Sequence, residues 1–136
     1  TPNVDGEGRM TNRAVISTDE APAAIGPYSQ AIKVGNMVWL SGQIPLVPDT
    51  MEIVAGDISA QARQVFSNLA AVARAAGGSL DDAVKLNISL TDMNNFGAVN
   101  AVMEEFLNAP FPARACVAVA ALPKGVAIEV EAQLAV

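Results

Sequence analysis

Arg114, Cys116 and Glu129 interrupt the most aliphatic stretch of this chain, FPARACVAVAALPKGVAIEVEAQ, which runs from Phe111 to Gln133. A guanidinium is a planar, two-pronged donor suited to a carboxylate or phosphate. A carboxylate whose pKa is set by its surroundings can take or return a proton. Histidine is absent, and Cys116 is the only cysteine. That removes Ser-His-Asp and Cys-His catalysis, most zinc sites, and the His-x-Glu…Pro-Cys-x-x-Cys zinc deaminases. The chemistry left is that of carboxylate, Arg, Tyr, Ser, Cys and backbone groups. Each candidate also has a plain structural role. Arg114 could pair with Glu129 or Glu131, and Glu131 itself suits a solvated or paired charge. Cys116 suits a small buried position, because no histidine activates it. Tyr28 suits packing in a Gly-Pro loop, Gly42 of Ser-Gly-Gln-Ile-Pro relief of crowding, and Asn100 an exposed helix position.

The chain that carries these residues has 136 residues, enough for one domain with a real core. It is 51% hydrophobic, yet no charge-free run reaches the roughly 18 residues of a membrane span. The net charge is −6, and the eight Lys and Arg are scattered rather than gathered. Both features argue against a nucleic-acid partner, whose phosphates need a basic footprint. A single cysteine forms no intramolecular disulfide and fits a reducing compartment. Residues 1–10, TPNVDGEGRM, lack periodicity and read as a flexible extension or a processing remnant, with Met10 a candidate native start. Residues 11–136 read as the single domain.

Periodicity along that domain predicts a strand at Arg13–Ser17, then a loop rich in Pro and Gly that ends in Tyr28 and Ser29. QAIKV and MVWLSGQ flank Gly35-Asn36, a two-residue hairpin signal. A helix opens at Asp57, with Asp57 or Ser59 as its cap, and stops at Gly77-Gly78. AVKLNISLT alternates as a half-buried strand. A second helix is expected from about Asn95 to Leu107, with Phe96, Val99, Met103 and Phe106 inward, before two closing strands. Right-handed crossovers between such strands place both helices on one face of a single sheet, an α+β two-layer domain.

Alternation also sorts the faces. Val84, Leu86, Ile88 and Leu90 are expected toward the helices, with Val117, Val119, Ile128, Val130 and Leu134. Lys85, Asn87, Ser89, Arg114, Cys116, Ala118, Glu129, Glu131 and Gln133 are then expected on the helix-free face, with Ser41 beside them. On this reading Arg114 and Glu129 project together. A half-polar, half-alanine face leaves room for a ligand or a second subunit, and closed symmetric oligomers are the usual result.

The blocks APAAIGPYSQA, GNMVWLSGQIP, AQARQVFSNLAAVARAAG, VNAVMEEF, FPARACVAVAALPKG and IEVEA run collinearly from about Thr18 to Val136. Together they resemble the Rid (YjgF) family of reactive intermediate deaminases, in particular its RidA-type members. The resemblance implies a chorismate-mutase-like fold, a mixed sheet and a homotrimer with clefts between subunits. It also implies hydrolysis of 2-imino acids, such as those from 2-aminoacrylate and 2-aminocrotonate, to 2-keto acids and ammonia. No cofactor or metal is implied, and the setting is cytoplasmic or organellar. By position, Arg114 would bind the substrate carboxylate and Glu129 would activate water and return a proton. Burial among alanines would raise the pKa of Glu129, and a nearby Arg114 would lower it. Tyr28, Ser41, Gly42, Asn100 and Cys116 would line the cleft, some from the neighbouring subunit. Ala115 and Ala118 stand where relatives often carry more polar residues, and the extension has no counterpart. Two rival functions are an endoribonuclease and a non-catalytic trimer that binds small carboxylates. The second would keep Arg114 but not need Glu129.

Overall fold

The longest helical periodicity builds the centre of the molecule, in a computed structural model that describes residues 12–136. The expectation for residues 1–10 lies outside the described residues. Helix α1 (Ile58–Ala75) starts at Asp57, whose carboxylate accepts from the Ala60 amide at 3.0 Å. It ends where Gly77 adopts a φ of +90°, and the Gly77 and Gly78 amides donate back to Arg74 and Ala73 at 3.0 Å. A left-handed glycine is the usual device for closing a helix. Helix α2 (Phe96–Phe106) buries Val99, Val102 and Met103. The helices meet through Phe66 and Phe106, with ring centroids 5.7 Å apart, and through Arg63, which donates to both oxygens of Glu105.

Six strands form one sheet: β1 (Ala14–Ile16), β2 (Ala31–Val34), β3 (Met37–Gln43), β4 (Ala83–Leu90), β5 (Ala113–Ala118) and β6 (Ile128–Ala135). Their spatial order is β1-β2-β3-β6-β4-β5. Only β4 and β5 run parallel, joined through α2, so the sheet is mixed. The β2–β3 hairpin turns at Gly35-Asn36, with Val34 paired to Met37. Val38 and Leu40 of β3, Leu86, Ile88 and Leu90 of β4, and Val130, Ala132 and Leu134 of β6 join both helices in one buried core. This is the two-layer α+β arrangement.

Two face assignments differ from the alternation reading. The β4–β6 register shifts between Ala83 and Lys85, so Ala83 turns inward opposite Leu134 while Val84 remains 43% exposed. An extra residue in one strand reverses the phase beyond it. The second difference concerns β5. Its register pairs Arg114 with Leu86, Cys116 with Ile88 and Ala118 with Leu90. Paired residues share a face, so Arg114, Cys116 and Ala118 lie on the helix side. Val117 pairs with Ser89 and is 52% exposed on the other side. Valine and alanine occupy both faces of this edge strand, so its pattern carries no phase of its own.

The helix-free face has an apolar border. Val15, Ile32, Trp39, Gln133, Lys85 and Ala113 form one cross-strand row, in which Val15 is 67% and Trp39 43% exposed.

Candidate active site

Arg114 projects from β5 toward α2. Its Nη1 donates to Asn100 Oδ1 at 2.6 Å and lies 3.8 Å from Met103 Sδ. The guanidinium carbon stands 5.1 Å from the centre of the Phe96 ring. Phe96, Asn100 and Met103 follow one another at helical spacing on α2, so one stripe of that helix holds the guanidinium. Asn100 fixes one nitrogen, and Nε and Nη2 make no hydrogen bond among the described residues, an arrangement open to a planar anion. A cavity of about 250 Å³ opens here between α2 and β5, lined by Asn100, Met103, Leu107, Phe111 and Arg114. Cys116, two residues along the same face, packs against the core. Burial pushes its thiol pKa up, against a smaller opposing pull from Arg114. A raised pKa keeps the group a thiol, a wall rather than a nucleophile.

Glu129 stands near the start of β6 on the opposite face, paired with Ser89. Beside it β3 bulges. Leu40 pairs with Ala132 and Gln43 with Val130, so Ser41 and Gly42 together oppose Glu131 alone. The bulge brings the Gly42 backbone against the carboxylate. A Cβ at Gly42 would lie 2.9 Å from Glu129 Cδ, so glycine is what this approach permits. Burial raises the Glu129 pKa above the ordinary carboxylate value, and the neighbouring Glu131 adds to the rise. Arg114 plays no part in that shift, because it lies across the sheet. Ser41 Oγ donates to the Ser29 carbonyl at 2.6 Å. Its proton is committed, which leaves its lone pairs to accept from a ligand. Tyr28 is exposed on the preceding loop, and its hydroxyl accepts from the Ile25 amide at 3.3 Å.

Tyr28, Ser41, Gly42 and Glu129 line one cavity of about 700 Å³. Two carboxamides hold segments that line it, Gln30 from the lining itself and Asn68 from behind Leu46, and neither was legible as functional in the sequence. Gln30 donates to the Thr18 and Pro22 carbonyls at 3.0 and 2.8 Å and accepts from the Thr18 amide at 2.7 Å. Asn68 of α1 donates to the Leu46 carbonyl at 3.0 Å. Both are buried, and a buried amide needs such partners. The only sequence signal was a polar residue inside an apolar run. Phe96, read as a core residue, also proves to face Arg114.

The expected site residues therefore fall into two groups. Tyr28, Ser41, Gly42 and Glu129 share one cavity, whereas Arg114 and Asn100 line another that shares no residue with it, and Cys116 lies beside Arg114. The expectation that Arg114 and Glu129 share a face within one chain is overturned by the strand register.

Residues 18–136 match the family model described as Endoribonuclease L-PSP. A 2-iminobutanoate/2-iminopropanoate deaminase from Dermatophagoides farinae is 50% identical over 122 residues, covering 90% of this chain and 95% of the relative. The protein of that name from Escherichia coli K12 is 52% identical over 120 residues, 86% of this chain and 93% of its own. Among solved structures, RidA from the Antarctic bacterium Psychrobacter superposes with a TM-score of 0.88 at 55% identity, covering 91% of this chain and all (100%) of that one. E. coli TdcF with bound serine superposes with a TM-score of 0.85 at 43% identity, over 90% and 98% of the two chains. Fold, blocks of sequence and matched length agree, and the chain belongs to the YjgF/Rid family.

Proposed function

We propose that this protein hydrolyses 2-imino acids to 2-keto acids and ammonia, with each active site built from two chains. The observation that carries the reading is the pair of half-sites. One holds a pre-oriented guanidinium and the other a carboxylate with a raised pKa beside a serine acceptor. In this scheme Arg114 of one chain grips the substrate carboxylate through its free nitrogens. Glu129 of the neighbour takes a proton from water as the oxygen bonds to C2 of the imine. The same group returns that proton to nitrogen, giving a carbinolamine, and then carries the hydroxyl proton to nitrogen as the C–N bond breaks and C=O forms, so that ammonia leaves with the keto acid behind. A carboxyl with a raised pKa suits both halves of that exchange. The imine carbon is already electrophilic, so the work is positioning.

The relatives named 2-iminobutanoate/2-iminopropanoate deaminase support the substrate class. Bound serine in TdcF is a 2-amino acid, the saturated counterpart of such an imine. Half-sites on opposite faces of one sheet, and an apolar border on the helix-free face, support a ring of three chains with sites at their contacts. The role this gives the protein is removal of reactive enamines and imines released by dehydratases acting on serine and threonine.

The test generates the imine with a threonine dehydratase and follows its decay. Faster decay with this protein, lost in Arg114→Ala and strongly reduced in Glu129→Gln, is the expected result. Decay at the uncatalysed rate would rule the activity out. Retained carboxylate binding would then favour a non-catalytic trimer, and cleavage of RNA would favour the nuclease that the family description names.

A further inference from the structure

A carboxylate held on Arg114 fixes where the rest of a small substrate lies. The first side-chain carbon of a 2-imino acid is two bonds from the carboxylate carbon, so that side chain stays close to the guanidinium. The residues around Arg114 therefore meet it. Those in contact are largely apolar. Met103 Sδ lies 3.8 Å from Arg114 Nη1, Leu107 follows one turn later on α2, and Phe111 closes the cavity from the loop before β5. Phe111 is 63% exposed and gives little to the core. Its loop is tied down where Asn108 Nδ2 donates to Asp81 Oδ1 at 3.0 Å, so the wall stands before a ligand arrives. At about 250 Å³ the cavity is smaller than the roughly 300–1,000 Å³ that takes a drug-sized ligand. It suits a short alkyl group.

One charged side chain besides Arg114 lines this cavity, and it is an anion. Glu104 stands one helical turn after Asn100, and residues so spaced are neighbours on a helix surface. Asn100 is the residue that holds Arg114 at 2.6 Å, so Glu104 stands beside the path a ligand takes away from the guanidinium. Glu104 has no ion pair or hydrogen bond with any described residue. Its neighbour Glu105 is the one that accepts from Arg63, at 3.1 and 3.0 Å. An unpaired carboxylate at the rim repels a second anionic group and is indifferent to a neutral chain.

We propose that Glu104 and Phe111 are specificity-determining residues for the side chain of the imine. Phe111, with Met103 and Leu107, limits the length of the alkyl group admitted, and Glu104 turns away 2-imino acids with an acidic side chain. This rests on the reading of Arg114 as the grip on the substrate carboxylate. Neither residue touches the attacking water, so both act on the choice among imines.

The test compares imines made in place by amino-acid oxidases from 2-aminobutyrate, norleucine and glutamate. The wild type should show its highest kcat/KM with the first. Phe111→Ala should raise the norleucine-to-aminobutyrate ratio of kcat/KM by about tenfold, the low end for methylenes in an apolar pocket. Phe111→Leu, a smaller change in the same direction, stands in if that variant fails to assemble. Glu104→Gln keeps the shape and removes the charge, and should raise the glutamate-to-aminobutyrate ratio about fivefold, the scale of one exposed charge interaction. Calorimetry with 2-oxobutanoate and 2-oxoglutarate as stable probes should show the same shift in Glu104→Gln without turnover. A ratio that stays at its wild-type value removes the residue concerned from the selection. Hydrolysis of all three imines at ratios that no variant changes would overturn the proposal and leave the deaminase reading standing. A shift in probe preference in Glu104→Gln, with no imine hydrolysed by any form, would uphold the role of Glu104 and sink the deaminase reading.

Discussion

Arg114 and Glu129 leave opposite faces of one sheet, although the strands that carry them both flank β4. One chain cannot close both around a substrate of a few atoms. Two inactive variants should therefore complement each other. Arg114→Ala and Glu129→Gln chains, unfolded together and refolded as a mixture, should regain roughly a quarter of wild-type activity if subunits of a closed ring assort at random. Each alone should stay inactive. A mixture as dead as its components would place both residues in one chain's site.

The pH profile should carry the mark of Glu129. Its pKa is raised by burial first and by Glu131 second. Acting as a base, Glu129 must be ionised, so kcat/KM should rise with pH through a limb above the ordinary carboxylate range. Glu131→Gln removes a negative neighbour and should move that limb to lower pH. A limb that stays put in Glu131→Gln would show that another group sets it.

Glu129 should also weaken the fold at neutral pH. Its folded-state pKa lies above its unfolded value, so the native state favours the protonated carboxyl. The stability that goes with protonation is complete below the unfolded pKa and is lost as pH rises through the folded one. Glu129→Gln keeps the neutral shape without the ionisation. Its Tm should exceed that of the wild type at pH 7, with the gap closing by about pH 4. An equal gap at both pH values would point to packing instead of charge.

Gly42→Ala should separate folding from function. The added methyl meets Glu129 Cδ at 2.9 Å, the far end of a flexible side chain that can swing aside. The protein should fold, with a Tm close to wild type, while kcat drops on the order of a hundredfold because the carboxylate has moved. A variant with unchanged kcat would remove Glu129 from the chemistry or show that its position there is loose.

Much of this was legible without coordinates. The 3.6-residue period, the Asp57 cap and the Gly77-Gly78 stop placed α1, and Gly35-Asn36 placed the hairpin, because these signals are local. The absence of histidine and the presence of Arg114 and Glu129 among aliphatic residues narrowed the chemistry, because side-chain inventory needs no fold. Two readings failed for a common reason. Val84 and the whole of β5 were phased by their own alternation, but phase is set by pairing. A bulge reversed one, and the parallel register with β4 reversed the other. Which faces Arg114 and Glu129 leave, and how Asn100 and Phe96 hold the guanidinium, follow from contacts between residues far apart in the chain. Such contacts come from register and packing, and neither is written in a single strand's pattern of apolar and polar residues.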